Sequence, residues 1–302
     1  MFIVQYKRIF YALSVILVAA SIVALVMYGL NLGIDFKGGS LLEVSYTSAV
    51  PEKTAIDSVV ASFGENVSVR STGENGFIIR LRALSEEEHQ SILSSISFGG
   101  KNTVEEIRFD AVGPLLGKEA ALKSLVAIAL VLIAIVLFIW FSFRKVSEPV
   151  ASWKYGLLVI AGLVHDIIIL IGVFAFLGKF LGVEVDTLFV TAILVTLGYS
   201  VHDKIVVFDR VRENVRLAKT NAKSAGFDFG ALVGFSISQT LVRSLNTSFT
   251  TLLALIALLF LGPSSTFYFS IALIIGIVSG TYSSICFSAP LLSTAEKLQK
   301  RQ

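Results

Sequence analysis

The sequence predicts a polytopic α-helical membrane protein of six transmembrane helices, with a small external α+β domain between the first and the second. Three observations predict it. The chain of 302 residues is 55% hydrophobic and only 16% charged, with a mean hydropathy of +0.80, whereas an ordinary soluble domain is about a quarter charged. Six segments reach the roughly 20 apolar residues that a bilayer requires. Between the first two lies an acidic, mixed-pattern stretch: residues 35–117 hold 7 Lys/Arg against 12 Asp/Glu, and the remainder holds 18 against 10.

The spans fall near residues 10–30, 121–143, 155–177, 187–208, 245–261 and 266–292. The first follows Lys7 and Arg8 in the manner of a signal peptide. Its apolar run exceeds the roughly 7–15 residues of a signal core and no small-residue cleavage pattern follows, so it reads as an anchor. The chain then divides into residues 1–33 (N-terminus and first helix), 34–117 (external domain), 118–293 (helices 2–6, with a basic cytoplasmic loop at 209–243) and a tail at 294–302.

In the external stretch, residues 41–46 have strand composition and 52–63 have helical periodicity after Pro51. Residues 67–70 and 77–81 read as strands around the turn Gly73-Glu74-Asn75-Gly76. Ser85 precedes Glu86, Glu87 and Glu88, a capping residue followed by acids in a first helical turn, and 89–96 completes that helix. A last strand at 103–109 gives the order βαββαβ, which fits a ferredoxin-like fold. Roughly 75 residues bury a single small core and hardly a deep catalytic cleft.

Orientation follows from the short loops, where Lys and Arg mark the cytoplasmic side. Lys7-Arg8, Arg144-Lys145-Lys154, the run Arg210, Arg212, Arg216, Lys219, Lys223, and the tail Lys297, Lys300, Arg301 share one side. Both termini are therefore expected inside, in a cytoplasmic (inner) membrane.

Several chemistries are excluded. The single Cys286 cannot form an intrachain disulfide. The three histidines, at 89, 165 and 202, have no metal-ligand spacing, so no metal is expected. No nucleophile motif or Gly-rich phosphate loop is present, which argues against an enzyme. The basic residues flank spans without interleaved aromatics, which argues against nucleic acid.

The informative residues lie inside the spans. His202, Asp203 and Lys204 interrupt the fourth, and a charge at bilayer depth costs about 2.5–3.5 kcal/mol on insertion scales, so such a group is a functional hypothesis by default. Asp203 reads as a proton-carrying carboxylate, with Arg243 as its partner. The alternative is that Asp203 pairs with Lys204 or sits at the cytoplasmic interface. Thr196 and Ser200 extend a polar stripe from Asp203. A second stripe, Gln239, Arg243, Asn246 and Thr250 with Thr247 beside it, repeats at helical spacing. Facing stripes suit a hydrated pathway, or hydrogen-bonding glue between helices. His165-Asp166 in the third span is either a second relay station or an internally hydrogen-bonded core contact. Gly276, Gly280, Ser284 and Ser288 form a small-residue face for helix packing. Gly33, Asp35, Gly38 and Gly39 follow the first span, the glycines allowing tight turns and Asp35 capping or anchoring them.

Four stretches together strongly resemble one family. They are LGIDFKGG (32–39), VGPLLGKEA (112–120), TAILVTLGYSVHDKIVVFDRVREN (191–214) and QTLVRSLNTSFTTLLAL (239–255). The resemblance is to the SecF subunits of the SecD/SecF protein-export complex, in the resistance-nodulation-division superfamily of ion-driven transporters. It implies a subunit that uses the proton motive force to promote late translocation of preproteins, after the SecA ATPase step. Implied partners are SecD, the SecYEG channel with or without a YajC-like accessory subunit, and the unfolded preprotein. It implies Asp203 and Arg243 as the proton-translocation pair and no cofactor, the coupling ion being a proton or, alternatively, sodium. His202-Asp203-Lys204 departs from the family's commoner Asn-Asp-Thr/Ser triplet. The rival functions are an ion-coupled small-molecule efflux transporter and a non-conducting scaffold subunit.

Overall fold

Hydropathy marks where the chain crosses a bilayer but not where its helices end, and the structure differs from the sequence reading chiefly at those ends. The computed structural model describes residues 2–47, 49–64, 67–100, 102–143, 152–221 and 228–299. Arg144, Lys145, Lys223, Lys300 and Arg301 lie outside these residues. The chain forms two compact units, one of Leu32–Leu125 and one of Met1–Asn31 with Val126–Gln302.

The first long helix of the second unit is α1 (Lys7–Tyr28). The smaller unit then builds β1 (Gly39–Tyr46), α2 (Lys53–Val60), β2 (Ser68–Thr72), β3 (Gly76–Leu81), α3 (Glu86–Ile96) and β4 (Val104–Val112). Its four-stranded sheet has the order β2-β3-β1-β4, with every neighbouring pair antiparallel. Alternation sets the buried face: Leu42, Val44 and Tyr46 of β1 lie beside Ile79 and Phe77 of β3, and Ile56, Val60, Ile92 and Ile96 of the two helices cover them. The buried Tyr46 hydroxyl donates to the Ile96 carbonyl at 3.0 Å, and burial pushes its phenol up to about 12. Gly38 and Gly39 have φ of 78° and 130°. A Cβ at Gly38 would meet the Pro114 backbone at 2.7 Å, and one at Gly39 the Leu81 carbonyl oxygen at 2.7 Å, so neither position admits a side chain. Gly33 is extended, and Asp35 lies in the first turn of the short helix Ile34–Lys37.

Helix α3 starts with a reciprocal capping box: the Glu88 amide donates to Ser85 Oγ at 3.3 Å and the Ser85 amide to Glu88 Oε2 at 3.0 Å. The Arg82 guanidinium, together with the Ser85 amide, holds the Glu88 carboxyl down at about 2. A depressed carboxylate stabilises the fold above its ordinary value of 4.5 and ceases to do so as pH falls through 2. Ser85→Ala is expected to weaken the cap by about 1 kcal/mol, raising amide exchange in the first turn of α3 about fivefold at pH 7. Hydrogen exchange on the full-length protein measures this, and unchanged exchange would refute the cap's contribution.

The other long helices are α4 (Pro114–Phe143), α5 (Ser152–Leu181), α6 (Thr187–Asn221) and α7 (Phe229–Leu261). The last crossing is composite: α8 (Phe267–Tyr282), a π-helical turn (Ser283–Ser288) and α9 (Ala289–Gln299). With α1 this makes six apolar crossings among the described residues. The stretch expected as a loop at 209–243 is helical from 209 to 221 and from 229 to 243. Hydropathy stops at the polar residues, but Arg210–Glu213 and Arg212–Asp209 pairs support continued helix, and the Asp228 side chain caps α7 by accepting from Gly230 and Ala231 amides. The π turn precedes Pro290, which has no amide hydrogen to donate back into the ladder.

Helices α5, α6 and α8 form the interior of the bundle, while α1 and α4 leave most of their surface exposed. Leu163, Leu170 and Phe174 of α5 are buried, as are Phe189, Ile193 and Leu197 of α6 and Leu273 and Ile277 of α8. Small residues set the approach distances. Gly276 lies against Thr196, Gly280 against Ser200, and Gly172 against the Ser21 backbone of α1.

Candidate functional site

A helix turns about 100° per residue, so neighbouring side chains on α6 serve different partners. Asp203 points to α7 and Lys204 points to α5 and the π turn. His202 is exposed on a third face. Asp203 and Lys204 therefore do not pair with each other.

Lys204 is 0% exposed and Asp166 is 1% exposed. The ammonium donates to Asp166 Oδ2 at 2.8 Å, Ser200 Oγ at 2.5 Å and Ser283 Oγ at 2.7 Å, which uses all three of its N–H bonds. Asp166 Oδ2 also accepts from Ser200 at 2.5 Å and Ser283 at 2.8 Å. Its Oδ1 accepts from Ser279 at 3.2 Å and from His165 Nδ1 at 2.9 Å. A carboxylate only accepts, so the Nδ1 hydrogen is on His165, whose ring stacks against Phe287 with centroids 5.0 Å apart. This internally hydrogen-bonded contact is one of the two sequence readings of His165-Asp166. Removing either member of a buried pair so completely satisfied strands the other.

Asp203 is 7% exposed and has far fewer partners. Its Oδ1 accepts from Ser244 Oγ at 2.5 Å, while Oδ2 is buried with no hydrogen-bond partner among the described residues. Beyond Ser244, Ser248 lies 2.8 Å from the Tyr199 hydroxyl and 2.6 Å from Thr281 Oγ1. Ser248 and Thr281 border an apolar crevice of about 640 Å³ that Asn246, Phe249, Tyr282 and Cys286 help to line.

The expected partner is not at Asp203. Arg243 is exposed, and no ion pair joins it to Asp203 among the described residues. Asn246, Thr247 and Thr250 share its exposed face, their hydroxyls or carbonyls engaged within α7. Gln239, also exposed, accepts from Arg210 at 2.7 Å and Asn214 at 2.9 Å. The facing stripe is instead Thr240, Ser244 and Ser248, all buried, one residue round the helix. On α6, Thr196 is buried with Oγ1 unpartnered among the described residues, and Ser200 belongs to the Lys204 cluster. Ser284 bonds the Gly280 carbonyl at 2.7 Å, and Ser288 is buried beside Gly162. Sequence reasoning missed Lys204 as the partner of Asp166, and missed Ser244, Ser279 and Ser283. The signals were present: opposite charges in the middle of consecutive spans, and small hydroxyl residues repeating every four positions.

A six-crossing helical bundle with acids and a base buried between its helices defines a polytopic membrane protein built around intramembrane charge. Comparison with known proteins narrows this class. Residues 93–298 match the family described as protein export membrane protein SecD/SecF, C-terminal, and residues 23–50 match the SecD/SecF GG motif. The chain is 41% identical to the protein translocase subunit SecF of Thermobaculum terrenum over 96% of its own length and 92% of that protein. With SecF of Anaerolinea thermophila the identity is 35%, over 95% and 91%. The crystal structure of SecDF, a translocon-associated membrane protein from Thermus thermophilus, superposes with a TM-score of 0.81 at 30% identity, covering 99% of this chain and 38% of that one. The chain belongs to the SecF family of protein translocase subunits.

Proposed function

We propose that this subunit uses the proton motive force to promote late translocation of preproteins across the cytoplasmic membrane, after the SecA ATPase step. SecD is its partner, supplying the remainder of the two-part assembly seen in SecDF, and the SecYEG channel, with or without a YajC-like subunit, delivers the unfolded preprotein. Both termini are cytoplasmic, and the βαββαβ unit is a ferredoxin-like domain on the outer face that touches the emerging chain. The observation that carries this reading is the half-satisfied Asp203: one oxygen on Ser244, the other buried and bare. A site of that kind takes up a single proton on Oδ2. An α7 rotation of one residue exchanges Ser244 for Arg243, which supplies the second state of a two-state cycle. One proton crossing 100 mV provides about 2.3 kcal/mol, enough to bias a domain swing.

The test is completion of a half-translocated preprotein by the chain reconstituted with SecD and the channel. A proton gradient is expected to accelerate wild type and to leave Asp203→Asn at its gradient-free rate. Equal acceleration of both would leave a scaffold rather than a coupling subunit.

A further inference from the structure

We propose that Lys204 is a specificity-determining residue: its ammonium stands as a tethered monovalent cation in the oxygen cage around Asp166, closing that cage to alkali-metal ions and leaving a proton as the only coupling ion. The inference rests on the proton-coupled reading above and adds the residue that selects the ion.

The cage draws its oxygens from three separate segments. Asp166 Oδ2 comes from α5, Ser200 Oγ from α6 and Ser283 Oγ from the π turn, at 2.8, 2.5 and 2.7 Å from the nitrogen. One carboxylate with surrounding neutral oxygens is the ligand set of a hard cation. Here a lysine nitrogen occupies it, fully removed from solvent. A second observation concerns the stem. A Cβ at Gly162 of α5 would overlap Lys204 Cε and Ser288 Oγ, so the facing helix is cut back where the side chain passes. The distal stem of the lysine is therefore accommodated as well as its nitrogen.

Asp203 offers the complementary case. Its only hydroxyl partner among the described residues is Ser244. A hard metal ion needs several converging oxygens and a proton needs one; three oxygens from three segments meet at the Lys204 nitrogen, whereas a single hydroxyl meets Asp203. Of Asp166 and Asp203, the one with a cation-sized cage already holds its cation, and the one left open suits a proton. Removing the ammonium while keeping the oxygens leaves a negatively charged cavity that a free sodium ion neutralises.

The decisive experiment measures equilibrium binding of radioactive sodium ion to the purified full-length chain in detergent, with thermal midpoints in sodium and in choline chloride at equal ionic strength. Wild type is expected to bind no sodium and to show equal midpoints. Lys204→Ala is expected to bind about one ion per chain, with a midpoint about 3 °C higher in sodium at about ten times its Kd. Adding Asp166→Asn is expected to abolish both effects. Absence of binding by folded Lys204→Ala, or binding that survives Asp166→Asn, overturns the proposal. Should Lys204→Ala not fold, wild type decides in the reconstituted translocation system. Drive by a sodium gradient at equal pH overturns the proposal, and indifference to sodium supports it. Sodium uptake by Lys204→Ala alongside an Asp203→Asn variant that still couples would support the cage assignment and overturn only the proton reading.

Discussion

Lys204→Met is expected to lower the stability of the detergent-solubilised protein by about 3–5 kcal/mol in sodium-free buffer. The size follows from what remains. Asp166 would keep four neutral donors, from Ser200, Ser279, Ser283 and His165, but lose the only cation beside it among the described residues, at 1% exposure. A carboxylate stranded in an apolar bundle costs far more than the pair contributes when intact. The double change Lys204→Met with Asp166→Asn is therefore expected to lose less than the single change, since it deletes both charges together. Thermal unfolding of the two variants with Asp166→Asn alone closes a double-mutant cycle. Additive losses would show that the two side chains act independently and refute the ion-pair account.

The second large effect is expected at Gly172, where α5 crosses α1. An added methyl would overlap Ser21 Cα as well as its side chain, and backbone cannot retreat without moving the whole first span. Overpacking of this kind costs about 1–3 kcal/mol, and the loss of contact along the helix pair places Gly172→Ala at the upper end. Gly198 provides the internal control. Nothing lies within 4 Å of its added Cβ, so Gly198→Ala is expected to be neutral or to stabilise α6 by up to about 1 kcal/mol. Equal thermal midpoints for the two variants would show that the crossing is not tight.

The contrast between Gly172 and Gly198 illustrates what a single sequence discloses. Apolar length revealed all six crossings, and alternation with turn chemistry revealed the strands and helices of the small unit, including the Ser85 cap. Facing directions were less legible. The Arg243 and Ser244 stripes both repeat at helical spacing, and only packing decides which one meets Asp203. Charge drew attention to Arg243, while the shorter Ser244 makes the contact because it fits the closely packed seam. Lys204 was read as a neighbour of Asp203 because adjacency in sequence was visible, whereas its pairing with Asp166, 38 residues earlier, required the fold. The helical extensions of α6 and α7 are illegible for a different reason: their buried residues, such as Val211, Val215, Val233 and Ile237, are spaced among polar ones and lack the continuous apolar run that marks a crossing.

The Asp166–Lys204 pair also bears on how the chain enters its membrane during synthesis. α5 is strongly apolar and can carry one acid into the bilayer by itself, whereas α6 is the least apolar of the six crossings and holds both Asp203 and Lys204. Because α5 is made first, Asp166 leaves the ribosome before Lys204, and the weaker helix follows the one that carries its counter-charge. The acid rides in the helix that needs no assistance and the base in the helix that does, so the linear order of the two charges doubles as an assembly instruction.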